Sequence, residues 1–77
     1  MEQSNHGSHA KVGDIVELLN PSGHPTAIFA LVTEAYQVWR AAGAYFEQRV
    51  KIHLTKERGW APIKEWKANY CRIVSRA

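Results

Sequence analysis

The segment from Phe46 to Trp66, FEQRVKIHLTKERGWAPIKEW, carries the strongest structural pattern of the chain. From Phe46 to Leu54 apolar or uncharged residues take every second position, and the positions between them hold charged residues or histidine. This period of two is typical of a β-strand with one face toward a core and the other toward water. The charged stretch that follows ends at Gly59, which favours a hairpin, and Trp60-Ala61-Pro62 begins a short return strand. The segment therefore predicts a mainly β fold.

The residues before this segment predict further strands. Lys11–Leu19 is rich in aliphatic residues, and the Asn20-Pro21-Ser22-Gly23 stretch has the residues of a type I turn. Residues 26–40 fit two patterns, because their apolar side chains would also gather on one face of a helix. Their β-rich composition favours a strand from Thr26 to about Glu34, a turn or bend, and a further extended piece near Val38. The alternative is an α+β fold with a helix over residues 25–42.

The rest of the chain completes a single domain. Ile63–Lys67 suits one helical turn, and Tyr70–Ser75 suits a last strand. A chain of 77 residues has room for one core only, and oligomerisation often supplies additional burial at this size. Residues 1–10 contain no periodic apolar residue and predict a flexible N-terminal arm, so the domain spans residues 11–77.

The net charge of +3 is unevenly distributed. Residues 1–35 contain one lysine and four acids, whereas residues 36–77 contain nine basic residues and three acids. Such a bipolar chain can attract phosphate, or it can attract a second copy of itself, acidic half to basic half. An interpretation of equal weight is that the charges of both halves are simply exposed to water and bind nothing.

The motifs of common enzymes and metal sites are missing from the sequence. It contains no Cys-x-x-Cys, no His-Glu-x-x-His, no glycine-rich phosphate loop and no Gly-x-Ser-x-Gly. We therefore expect no catalytic residue, no cofactor and no metal site. The lone Cys71 is expected to be buried in a strand, which fits a reducing, cytoplasmic setting. No run of 18 apolar residues is present, so we expect no membrane span.

Basic and aromatic residues of the C-terminal half suggest a binding surface. Single-stranded nucleic acid is held by cations that meet phosphates and by flat rings that stack on bases. The candidate residues are Lys51, Lys56, Arg58, Trp60, Lys64 and Lys67, with Tyr45 as a second stacking platform. For Trp39, Trp60 and Trp66 the alternative is packing in a core or a subunit interface, which we expect for roughly two of the three.

Several short motifs, taken in order, resemble a known family. Val12-Gly13-Asp14-Ile15-Val16 opens the first strand, Gly59-Trp60-Ala61-Pro62 follows the alternating strand, and Ile73-Val74 closes the chain. This order resembles the SH3-like small β-barrels, in particular short barrel proteins encoded by bacteriophages or found in environmental sequence, over residues 11–75. The resemblance implies a five-stranded SH3-like barrel with one short helical turn before the last strand.

These observations together predict a phage-related, non-enzymatic interaction module. We expect a homo-oligomer that binds single-stranded nucleic acid through its basic C-terminal half. The first alternative is a purely structural homo-oligomer without a ligand. The second is an enzyme with a site shared between subunits, because a chain this small can build a deep pocket only by pooling residues.

Overall fold

Five antiparallel strands form one sheet in the computed structural model, which describes residues 5–55 and 63–77. The strands are β1 (Ile15–Leu19), β2 (Pro25–Arg40), β3 (Tyr45–Leu54), β4 (Glu65–Lys67) and β5 (Cys71–Ser75). Their order in the sheet is β4-β3-β2-β1-β5, so the last strand returns beside the first. The predicted mainly β class with five strands is confirmed.

The turn between β1 and β2 forms as its residues predict. The N–H of Gly23 donates to the carbonyl oxygen of Asn20 at 2.8 Å, which closes the four-residue turn. The side-chain oxygen of Asn20 accepts the N–H groups of Ser22 and His24, both at 3.0 Å. Gly23 has a φ of 85°, a conformation that glycine adopts without the steric penalty of a side chain. The turn is therefore specified locally.

β2 is one continuous strand, and the alternative helix over residues 25–42 is wrong. Its first half pairs with β1 as far as Leu31, and β3 pairs with it from Ala30 to Arg40. The predicted turn or bend near Glu34 is instead a shift of register between Val32 and Glu34 within the β2–β3 pairing. Such an irregularity bends a strand without ending it. The pairing on both sides outweighs the helical periodicity of the segment.

The helical turn predicted over Ile63–Lys67 lies a few residues later in the chain. Glu65–Lys67 forms β4, and a single 3-10 turn covers Ala68–Tyr70 immediately before β5. Trp66 pairs with Val50 of β3, and its indole N–H donates to the carbonyl oxygens of Leu19 at 3.2 Å and Tyr70 at 3.0 Å. These long-range contacts hold the segment in an extended form. The predicted hairpin tip and return strand, residues 55–62, lie outside the described residues except at Thr55.

The core lies where β1, the first half of β2 and the second half of β3 overlap. β1 lies in the middle of the core because β2 and β5 pair with it on both sides. The buried apolar residues are Ala10, Val16, Leu18, Ala30, Val32, Val50, Ile52, Ala68, Cys71 and Ile73. The predicted alternation of β3 is confirmed at Val50 and Ile52, but Phe46 is 60% exposed. The end of the β2–β3 hairpin extends beyond β1, so β1 does not cover that ring.

Residues 5–10 of the predicted N-terminal arm lie against β5. His6 forms a bridge with Arg72, and the N–H of Ile73 donates to the carbonyl oxygen of Asn5 at 2.7 Å. Gly7 is buried in a 3-10 turn, where an added Cβ would come within 2.6 Å of Cys71 Cβ. Ala10 belongs to the core. This segment therefore covers part of the edge that β5 would otherwise leave open.

Candidate nucleic-acid interface

The pairing of β2, β3 and β4 gathers charged and aromatic side chains on one face of the sheet. Directly opposite residues of antiparallel strands share a face. The opposite face carries Val50 and Ile52 of the core, so we name this one the outer face. Its residues are Glu34, Tyr36, Val38 and Arg40 from β2, Tyr45, Glu47, Arg49 and Lys51 from β3, and Glu65 and Lys67 from β4.

Two of the predicted binding residues, Lys51 and Lys67, lie on the outer face, and each stands near a tyrosine ring. Lys51 Nζ is 5.8 Å from the centre of the Tyr36 ring, and Lys67 Nζ is 5.6 Å from that of Tyr70. Both lysine side chains are about half exposed. The predicted Lys64 is exposed just before β4, while Lys56, Arg58 and Trp60 lie outside the described residues.

Three of the four cations of the outer face surround one carboxylate, that of Glu47. Its side chain is 8% exposed, and its oxygens lie 2.8 Å from Arg40 Nη2, 2.9 Å from Arg49 Nη1 and 3.3 Å from Lys67 Nζ. Sequence reasoning placed Glu47 on the solvated face of the strand and missed this cluster. Arg40 reaches Glu47 diagonally, because its direct partner is Tyr45. The sequence would have indicated this cluster only if the loop of the β2–β3 hairpin had been placed at residues 41–44, because that register brings Arg40 close to Glu47.

Hydrogen bonds between oppositely charged side chains of the outer face shift their pKa values toward the charged forms. The guanidinium groups of Arg40 and Arg49 lower the pKa of Glu47 from 4.5 to about 2. The hydrogen bond to Glu47 in turn raises the pKa of Arg49, and the hydrogen bond to Glu34 raises the pKa of Lys51. An ionised partner stabilises the charged form of each group. Glu47, Arg49 and Lys51 therefore stay charged throughout the neutral range.

We expect the Glu47 cluster to make folding stability depend on pH in acid. A carboxylate with a lowered pKa contributes stability that is fully present above its unfolded value, 4.5, and is lost as the pH falls toward about 2. Glu47→Gln should therefore flatten the decline of unfolding free energy across this interval. Urea titrations at several pH values would measure it. Arg40→Gln, which removes the largest cause of the shift, should shrink the decline only in part. An unchanged profile in Glu47→Gln would contradict the assignment.

A shallow groove of about 150 Å³ runs along the outer edge of β3 beside the Ala68–Tyr70 turn. Tyr45, Lys67, Asn69 and Tyr70 are among the residues that line it. Tyr45 is half exposed, as its predicted role as a stacking platform requires. β4 is only three residues long and leaves this part of the β3 edge uncovered. With Phe46, Glu47 and Gln48 also in its lining, the groove combines three rings, an ammonium group, two amides and a carboxylate.

Two acidic residues of the N-terminal half, Asp14 and Glu17, form their contacts inside the domain. Asp14 accepts the N–H groups of Lys11 and Ala77, each at 2.9 Å. Glu17 accepts the N–H of Ala27 at 3.2 Å and Arg72 Nη2 at 2.8 Å. Both acids are buried. A negative surface made by these two carboxylates is therefore not available to the basic half of a second copy.

The aromatic and thiol groups divide between packing and surface. Trp66 is half buried against the core, in agreement with the packing interpretation. Trp39 is 53% exposed at the end of the hairpin, and its ring centre lies 5.0 Å from that of Phe46. The buried position predicted for Cys71 is confirmed. Burial raises the pKa of its thiol to about 12, so the group remains protonated and unreactive.

Residues 5–55 and 63–77 contain no group of three or more His, Cys, Asp or Glu side chains placed to hold a metal ion. No helix among these residues is long and apolar enough to cross a bilayer. Comparison with protein-family models, with curated proteins and with solved structures finds no match to this chain.

Proposed function

We propose that this chain is a non-enzymatic binding module of the SH3-like small-barrel type whose outer face holds single-stranded nucleic acid. The strand order supports the fold part of the proposal, because β1 lies between β2 and the returning β5. The single 3-10 turn immediately before β5 agrees with the helical turn of that family. The Val12-Gly13-Asp14 motif stands just before β1, as it does at the start of such barrels.

The observation that carries the proposal is the pairing of lysines with tyrosine rings. Lys51 lies near Tyr36, Lys67 lies near Tyr70, and the groove beside the second pair adds the exposed ring of Tyr45. Proteins hold single-stranded nucleic acid by cations that follow the backbone and by aromatic rings on which the bases stack. Ammonium groups that are half exposed can contact phosphate while they keep their intramolecular partners.

The balance of charge supports a polyanionic ligand over an acidic face of a second copy. Glu47 neutralises part of the cluster, but Arg40, Arg49 and Lys67 together exceed its single charge. Lys51 is paired with the exposed Glu34 and Arg49 also lies near the exposed Glu65, so the outer face carries four positive charges against three negative ones and keeps an excess of one. An excess of fixed positive charge attracts polyanions and accelerates their association.

Fluorescence anisotropy with short single-stranded DNA and RNA, measured over a series of salt concentrations, tests this function. We expect binding at low salt and a linear fall of log affinity with log salt, because phosphate contacts release counterions. Lys51→Ala and Lys67→Ala, made separately, should each reduce the salt slope by about one, because each removes one ammonium group that meets a phosphate. Tyr70→Ala should weaken binding with little change in slope, because stacking releases no counterions.

Lys11→Ala provides a matched control for these variants. Lys11 is an exposed cation that precedes β1 and lies outside the outer face, so its removal should have a smaller effect than that of Lys67. Absence of binding to both polymers at low salt would refute the function and leave a structural oligomer as the better interpretation. Equal reductions of affinity in the Lys11 and Lys67 variants would show that net charge alone attracts the polymer.

A further inference from the structure

One edge of the second half of β2 has no partner strand in the part of the chain that the structure describes. β1 pairs with β2 only as far as Leu31, and the backbone of Gly13 and Asp14 extends that contact by hydrogen bonds to Val32. Beyond this point β3 pairs with one side of β2, and within residues 5–55 and 63–77 no strand pairs with the other. An extended edge of this kind is a template for a further strand. We name residues 33–40, TEAYQVWR, the edge segment.

We propose that the edge segment pairs antiparallel with the edge segment of a second copy, with Gln37 on the two-fold axis. An isologous interface places the same residues of both copies against each other. With Gln37 opposite Gln37, Glu34 of each copy lies opposite Arg40 of the other. Ala35 likewise lies opposite Trp39, and Tyr36 lies opposite Val38. The two sheets would join into one that runs through both copies.

Charge complementarity selects this register over its neighbours. A register centred on Tyr36 would place Glu34 opposite Val38, and one centred on Val38 would place Arg40 opposite Tyr36. The register centred on Gln37 instead forms two pairs of opposite charge per dimer. Directly opposite charges stabilise paired strands. Each of these carboxylates would then lie between an arginine of the partner and its own Lys51, which is 3.0 Å away.

The same register explains the exposed rings at the end of the hairpin. Trp39 is 53% exposed and Phe46 is 60% exposed, on the face that carries the core elsewhere in the sheet. The opposite positions of the second copy would present the small side chain of Ala35 to Trp39, which leaves room for the indole. Contiguous exposed apolar surface on a small domain marks an interaction site. Pairing with a second copy would bury part of this surface on the side of Trp39.

Disulfide cross-linking of the full chain tests the register. The native Cys71 is buried, so a single introduced cysteine supplies the reactive thiol. Under mild oxidation we expect Gln37→Cys to form a covalent dimer, because opposite residues on a two-fold axis have Cα atoms within disulfide range. Val74→Cys, exposed on β5, is the control and should form no covalent dimer. Self-linking of Tyr36→Cys or Val38→Cys in place of Gln37→Cys would overturn the proposed register.

Charge reversal tests the pair that selects the register. By light scattering over a range of protein concentrations, Glu34→Arg and Arg40→Glu should each weaken dimerisation about tenfold, because opposite charges become like charges. The double variant should recover it. In the double variant the new residue 34 meets Lys51 and the new residue 40 meets Glu47 with a charge of the same sign. The contacts within each chain therefore remain unfavourable, and a recovery of dimerisation can come only from the contact between copies. A wild-type chain that stays monomeric at millimolar concentration would overturn the proposal without bearing on nucleic-acid binding.

Discussion

Replacing Asp14 by alanine is expected to lower the free energy of unfolding by about 2 to 4 kcal/mol, because two partly buried N–H groups lose their acceptor at a cost of about 1 to 3 kcal/mol each. The carboxylate is 3% exposed and accepts hydrogen bonds from Lys11 and from Ala77 at opposite ends of the domain. It therefore joins the start of the sheet to the end of the chain. Urea unfolding followed by tryptophan fluorescence would measure the loss.

Asp14→Asn is the graded control, because it keeps one side-chain acceptor and should show a smaller loss than alanine. Gly13→Ala tests the same corner through the backbone. Gly13 has a φ of 96°, and an added Cβ would lie 2.8 Å from Ala77 Cβ, so that variant should also lose stability. If Asp14→Ala kept wild-type stability, the carboxylate would not bridge the two ends in solution.

This corner gives a physical reason for the Val-Gly-Asp motif. Gly13 and Asp14 bond to Val32 through their backbones, and the Asp14 side chain closes the turn at Lys11. Val12 is 62% exposed and contributes little to burial. The motif therefore reflects folding at the first strand, and its presence alone carries no information about a ligand.

Local patterns were sufficient for much of the fold. The strand character of β3, the turn at Asn20 and the buried Cys71 follow from residues close together in the chain, because alternation and turn geometry are local properties. The continuous path of β2 required a choice between two periodicities. Its β-branched residues favoured the correct one, but they gave no indication that pairing with β3 would continue past Glu34 to Arg40.

The candidate site was only partly predictable because it depends on which strands meet. Lys51 and Lys67 could be named as candidates from their charge alone. The Glu47 cluster could be predicted only from the β2–β3 register and the position of β4. The exposure of Phe46 has the same origin. Its alternation is that of a core position, yet β1 is too short to cover it. The segment 63–67 was misassigned because Trp66 is held by contacts with Leu19, which is distant in sequence.

The position of the core predicts a large contrast between two truncations. Leu18 is fully buried in β1, opposite Ile28 of β2 and Cys71 of β5. We expect Leu18→Ala to cost about 2 to 5 kcal/mol, since it removes apolar contacts and leaves a cavity. A domain of this size has a total stability of about 4 to 12 kcal/mol, so this single change should unfold a substantial part of the population at moderate urea concentrations.

Phe46→Ala removes a larger side chain but should cost about 1 kcal/mol or less in dilute solution, where its main partner is the ring of Trp39. Unfolding midpoints of both variants at low protein concentration would measure the contrast. If Phe46→Ala lost more stability than Leu18→Ala at low protein concentration, the core would lie at the hairpin end of the sheet and its assignment to β1 would be wrong. The cost of Phe46→Ala should grow as protein concentration rises if a second copy covers the hairpin end, because association stabilises only the folded chain. Leu18→Ala should show no such growth beyond that of the wild type, since its cavity lies inside each copy.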